Sequence, residues 1–171
     1  RSKLKAEVAY ALDSEGAPGE IVIGAPGQYK YKISVHGKKA HGGLEPEKGI
    51  NAIMIAAKAL AEVERYGRID EETTCNIGLI GGGVATNVVP DLVEIEGDVR
   101  SRNNEKLEAM REEIVSTICN AVEKYGAKVT AEVEHKYSSF LIDTNSTVVK
   151  LAERACALHG FTPEITQTGG G

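Results

Sequence analysis

The sequence predicts an α+β fold: a ferredoxin-like unit, with an antiparallel four-stranded sheet and two helices on one face, inserted in an incomplete α/β domain. Three observations lead there. From residue 28 to residue 140 the hydrophobic periodicities run β-α-β-β-α-β, the split βαβ order. Strand-like segments at 6–12 and 161–168 flank that run and find no partner inside it. One histidine, His41, falls in irregular backbone between the first strand and first helix of the run, where a chain usually places a working side chain.

The elements follow in order. Ala6 to Leu12 alternates loosely and ends in Asp13-Ser14-Glu15-Gly16, a type I turn signal with Asp first and Gly fourth. Pro18-Gly19 and Pro26-Gly27 bracket a short apolar run, Ile21 to Ile23. Gln28 to His36 is a strand, with Tyr31, Ile33 and Val35 alternating against Lys30, Lys32 and Ser34. Gly37 ends it, and Gly42 and Gly43 permit backbone angles that other residues avoid. Pro46 and Glu47 suit a first helical turn, so a helix is expected from about Glu47 to Tyr66, closed by Gly67. Thr73 to Ile80 reads as a strand, followed by glycines at 81–83. In the long strand from Asp91 to Arg102, Val93, Ile95 and Val99 take the helix face and Arg100 the open face. Asn103 and Asn104 offer a cap, and Leu107, Met110, Ile114, Ile118 and Val122 then keep helical spacing to Gly126. Lys128 to Glu134 alternates again and is expected to continue to Phe140. Asp143-Thr144-Asn145 supplies caps for a helix with an apolar stripe of Val148, Leu151, Ala152, Ala155 and Leu158, and a short strand at 161–168 follows. The resulting domain limits are 1–25, 26–140 and 141–171.

Composition narrows the function. The 171 residues are 42% hydrophobic and 26% charged, with a formal net charge of −5, which argues against a nucleic-acid partner. No apolar run is long enough to span a bilayer and no signal-peptide pattern opens the chain. Cys75, Cys119 and Cys156 are scattered in apolar stretches and read as reduced core thiols, which suggests a cytoplasmic protein. The glycines at 81–83 precede a strand rather than a helix, so they do not make a phosphate loop, and no GxSxG or CxxC is present. The start at Arg1 without methionine and the end in Gly169-Gly170-Gly171 suggest an excised piece.

Three stretches, VHGKKAHGGLEPEKGINAI, TNVVPDLVEIEGDVRS and the terminal TGGG, resemble the dinuclear-zinc metallopeptidase family of peptidase T, aminoacylase and carboxypeptidase G, with peptidase T-like enzymes nearest. The resemblance runs from about Leu4 to Gly171. It implies a zinc-bearing catalytic domain into which a β-α-β-β-α-β lid, or dimerisation domain, is inserted. It also implies a homodimer through that lid and hydrolysis of short peptides, in the manner of a tripeptidase or aminopeptidase. Two zinc ions per site are implied for the full-length enzyme, most of whose ligands have no counterpart here, so the chain alone is expected to be inactive.

The resemblance assigns four residues. Asp13 corresponds to a metal ligand, against the plainer reading of a turn aspartate. His41 corresponds to a group that stabilises the tetrahedral intermediate in the partner subunit's active site, by donating to a developing oxyanion. Asn87 and Arg100 correspond to substrate-binding residues, the arginine fork suiting a carboxylate. The competing fate of Arg100 is an ion pair with Asp98 or Glu96, and that of Asn87 is a turn residue. His36 reads as a solvated strand residue, His135 as an exposed strand residue and His159 as a helix C-terminal residue. A different class of function, a small-molecule-binding regulatory module of ferredoxin-like fold, would share the element order but would need neither Asp13 nor the flanking strands.

Overall fold

The computed structural model describes residues 5–13 and 16–169. In chain order its elements are β1 (Glu20–Ala25), β2 (Gly27–His36), β3 (Ala40–His41), a 3₁₀ turn (Pro46–Lys48), α1 (Ala52–Ala61), β4 (Gly67–Arg68), β5 (Thr73–Gly82), β6 (Val88–Val89), β7 (Leu92–Ser101), α2 (Asn104–Lys124), β8 (Lys128–Tyr137), β9 (Phe140–Leu141), α3 (Thr147–Leu158) and β10 (Glu164–Gln167). They form two compact units: Gly27–Ser139, and the flanking segments Arg1–Pro26 with Phe140–Gly171.

In the first unit the sheet order is β4-β5-β7-β2-β8, with every neighbouring pair antiparallel. The four long strands and two helices give the ferredoxin-like arrangement, to which β4 adds a two-residue edge. One core lies between sheet and helices. Ile33, Val35, Val93, Ile95 and Val99 from the sheet meet Ile55, Ala56 and Ala59 of α1 and Leu107, Met110, Ile114, Ile118 and Val122 of α2. Period-two alternation puts the apolar set of each strand on one face, so one register buries them all. Ile33 and Ile95 are cross-strand partners and both are fully buried. Cys75 lies in the same core, where burial pushes its thiol up to about 11 and keeps it protonated. Cys119 is half-buried and packs against the same core, while Cys156, also half-buried, is not part of it.

Several element limits differ from expectation. The first helix begins at Ala52 rather than Glu47. The Asn51 side chain caps it by accepting from Met54 N at 3.0 Å, and Pro46–Lys48 make only a single 3₁₀ turn. Between these, Ile50 is tied to Lys38 by two backbone hydrogen bonds of 2.9 Å, which forbids continuous helix. The helix ends at Ala61, and β4 takes up the chain at Gly67. The last strand of the unit stops at Tyr137 instead of running on to Phe140.

In the flanking unit, the strand expected at 6–12 is absent: residues 5–12 form no strand and are exposed. The partner of β10 is instead β1, the short apolar run Ile21–Ile23 with its neighbours, in parallel register, and β9 adds antiparallel on its other side. The expected stripe of α3 is also displaced. Val149 is its buried residue, while Leu151 and Leu158 stay exposed among the described residues. Ser146, rather than the preceding Asp143–Asn145, is its N-cap. Ser14, Glu15 and the last two glycines, parts of the expected turn and terminal motif, lie outside the described residues. No helix among the described residues is long and apolar enough to cross a membrane.

Candidate functional site

His41 is fixed by a small knot of backbone at one end of the large sheet. Where β2 ends, Gly37 N donates to Asp91 O at 2.8 Å. A side chain at residue 37 would begin only 2.1 Å from Ile50 O, so the crossing requires glycine. The chain then forms β3, whose Ala40 and His41 pair with Val89 and Val88 of β6, and Gly42 N donates to Asn87 O at 2.8 Å. The His41 carbonyl accepts from Leu44 N and Glu45 N. Gly42 and Gly43 thus serve differently from the expectation: neither has a positive φ, and Gly42 instead allows the close pass of Asn87, whose carbonyl would lie 3.2 Å from a side chain there.

The imidazole itself is oriented. Gly43 N and Leu44 N both point at its Nδ1, each at 3.2 Å. Two amides aimed at one ring nitrogen make that nitrogen the acceptor, which places the proton of the neutral ring on Nε2. The exposed His41 therefore presents an N–H donor outward from a braced backbone. Asn87 stands exposed beside it, its side-chain amide without a hydrogen bond among the described residues. The two come together because β3 pairs with β6, a two-residue ladder too short to leave a periodic signal in the sequence.

Arg100 lies elsewhere. It is on β7, opposite Gln28, on the face away from the helices. Leu92, where β7 starts, marks the His41 end of the sheet; from there to Arg100 is about 26 Å at about 3.3 Å per residue. Arg100 Nε donates to Asp98 Oδ2 at 2.8 Å, and Gln28 Nε2 donates to the same oxygen at 2.6 Å. Gln28 is buried and was not singled out from sequence; its cross-strand place opposite Arg100 emerges only from the register. The structure thus brings His41 and Asn87 together and sets Arg100 apart.

Asp13 is exposed and outside any strand. No group of three or more His, Cys, Asp and Glu among the described residues is placed to hold a metal ion. A catalytic zinc needs about three protein ligands and an open position, so the described residues do not by themselves fit the two-zinc centre that the resemblance implies. The other histidines have surroundings of their own: His36 Nε2 is 3.0 Å from Thr130 Oγ1, the His135 ring sits tilted against Tyr29 at a centroid separation of 4.9 Å, and His159 is the C-cap of α3.

Comparison with known proteins adds a family. Residues 23–126 match the model of a peptidase dimerisation domain. The uncharacterized protein YqjE of Bacillus subtilis is 43% identical over the whole chain, which covers 46% of that protein. Two crystal structures superpose over 99% of the chain and 45% of their own length: an aminopeptidase PepT from Bacillus cereus, at 44% identity and a TM-score of 0.85, and a tripeptidase from Staphylococcus aureus, at 35% identity and 0.90. The chain therefore spans less than half the length of these relatives.

Proposed function

The chain belongs to the peptidase dimerisation domain family, and from that premise we propose that residues 27–139 are the dimerisation lid of a metal-dependent peptidase acting on short peptides. In this reading His41 and Asn87 serve the active site of the partner subunit, and Arg100 serves the site of its own. The division rests on their places along β7: Leu92, at the His41 end, and Arg100 are about 26 Å apart at about 3.3 Å per residue, too far for one short peptide to touch both. A two-fold pair resolves this, because each lid can offer one end to each of two sites.

The chemistry follows from the geometry. His41, with Nδ1 held by two amides and Nε2–H without a partner among the described residues, is a preorganised donor for the negative oxygen that develops as a peptide carbonyl becomes tetrahedral. Asn87 adds an amide of either polarity beside it. Arg100 would hold the substrate's terminal carboxylate and so favour peptides of limited length. The metal ions of the whole enzyme would supply the activated water; the residues described here bind, orient and donate. Asp13 is proposed as this chain's contribution to that centre, the remaining donors coming from outside it. The flanking segments 1–26 and 140–171 are proposed as parts of the catalytic domain.

The sheet edges favour one dimer. Beyond the short β4, the outer edge of β5 from Asn76 to Gly82 carries no charged residue. Leu79, Ile80 and Val84 are exposed along and after it, and Ile53 of α1 approaches it at Gly83. The opposite edge, β8, bears Lys128, Glu132, Glu134 and Lys136, which discourage pairing. Antiparallel pairing of β5 with its own copy satisfies two-fold symmetry.

Complementation tests the reading. In the intact enzyme, His41→Ala and Arg100→Ala should each be nearly inactive, the histidine change alone costing on the order of a hundred- to thousandfold in kcat. Subunits exchanged between these two variants should recover about a quarter of wild-type activity, since half the dimers are mixed and each has one whole site. His41→Ala mixed with Asn87→Ala should recover nothing. Absence of rescue in verified His41→Ala/Arg100→Ala heterodimers would place both residues in one site and overturn the proposal.

A further inference from the structure

Arg100 does not stand alone on the open face of the sheet. Its Nε–H is taken by Asp98 Oδ2, which is also held by Gln28 Nε2. The backbone arranges this: Asp98 and Arg100 are two apart on β7 and so share a face, and Gln28 is the cross-strand partner of Arg100 on β2. Gln28 is 5% exposed, while the Asp98 and Arg100 side chains are 22% and 33% exposed. The trio therefore grades from a buried amide, through a half-covered carboxylate, to a guanidinium open to solvent.

We propose that Asp98, itself fixed by Gln28, is a positioning residue for Arg100, turning the guanidinium so that its two Nη groups face a substrate carboxylate. An arginine side chain has many rotamers, and an unrestrained one would lose that freedom each time a peptide bound. The guanidinium is planar, so holding the Nε–H direction while the strand holds Cα fixes the plane of the fork. Because Asp98 uses only Nε, the four N–H groups on Nη1 and Nη2 have no partner among the described residues. Those groups form the end-on fork that matches a carboxylate through two parallel hydrogen bonds. Gln28 contributes an uncharged donor: it orients Asp98 without competing for its charge, whereas a carboxylate at 28 would repel it. The inference rests on the reading of Arg100 as a carboxylate clamp and adds what sets the clamp's direction.

The test uses the intact enzyme and one short peptide in two forms, with a free C-terminal carboxylate and with that terminus amidated. The measured quantity is the ratio of kcat/KM between the two. Asp98→Asn keeps the shape and removes the charge; it should lower the ratio about tenfold, mainly through KM of the carboxylate form. Gln28→Met, which leaves Asp98 charged but unheld, should lower it by a smaller factor. An Asp98→Asn variant that loses rate equally on both peptides, or keeps the wild-type ratio, overturns the positioning role. Arg100→Ala separates the two readings: if it leaves the ratio as in wild type, the clamp itself is wrong, and if it abolishes the ratio while Asp98→Asn does not, only the positioning is. On the chain alone, the Arg100 Nε–H resonance should exchange slowly with water and become fast in Asp98→Asn; fast exchange in the unsubstituted chain overturns the proposal independently of activity.

Discussion

Tyr31 and Gly97 face each other across β2 and β7, and the tyrosine hydroxyl donates to Asn76 O on the next strand at 2.9 Å. One side chain thus spans three strands, and it does so over a glycine. A methyl group at residue 97 would sit 2.2 Å from both the hydroxyl and Asn76 O. Because one of those atoms is backbone, the clash has no cheap escape. Gly97→Ala should therefore destabilise by about 1–3 kcal/mol, read from the urea midpoint, and Tyr31→Phe should not rescue it fully. A second residue links the fold to pH. Asp70 Oδ1 accepts from Glu72 N and Thr73 N at 2.8 Å, and Lys106 lies 3.1 Å from its other oxygen. The backbone hydrogen bond from Glu72, with Lys106 next, lowers its carboxyl to about 2. A lowered carboxylate stabilises the fold above its unfolded value and loses that contribution as pH falls towards the folded one. Asp70→Asn should thus flatten the fall in stability between about pH 4 and pH 2, while wild type steepens there; parallel acid-unfolding profiles would refute this. Such detail was only partly legible in the chain. The glycines flanking His41 announced a shaped loop, but they gave no sign that two amides would brace its ring, and nothing in GDVRS says that Gln28 closes the set around Asp98.

Where elements were long and periodic, the sequence read well. The two faces of β2 and β7 and the core side of α2 follow from alternation and from helical spacing, because burial on one side leaves a repeating pattern. Short elements left none: β3, β4 and β6 have two residues each, and their pairing is set by tertiary contact. The loose alternation at 6–12 was misleading for the same reason in reverse, since period two without a sheet neighbour makes no strand. At the start of α1, proline and acid suggested a first turn, but the Lys38–Ile50 bridge overrode them and left the cap to Asn51. Asparagine caps are the testable part. Asn103 Oδ1 accepts from Glu105 N at 2.9 Å and Lys106 N at 3.1 Å, and α2 carries six buried side chains behind it. Asn103→Ala should cost about 1 kcal/mol in thermal or urea unfolding, and Asn103→Asp much less.

For the lid as a unit, the contrast between its edges gives a prediction about assembly. Ile80→Lys on β5 should shift the chain towards monomer in light scattering at micromolar concentration with its melting temperature little changed, since Ile80 is 57% exposed. Val133→Lys on β8, also at an exposed position, should leave the proposed dimer intact. The reverse result would move the interface to the other edge. One further feature concerns the order of events in folding. The first and last long strands of the lid, β2 and β8, are hydrogen-bonded neighbours, with Gln28 opposite Tyr137. Both ends of the inserted chain therefore leave the finished lid side by side, and just outside it Ala25 pairs with Phe140. On the ribosome β1 emerges long before β9 and β10, and closing so long a loop by chance is entropically unfavourable. Once the lid has folded, the loop is effectively short, and the flanking strands meet at high local concentration. Folding of the lid is therefore expected to precede pairing of the flanking strands: a core substitution such as Ile33→Ala should delay protection of β1 amides in pulse-labelled refolding as much as it delays the lid itself.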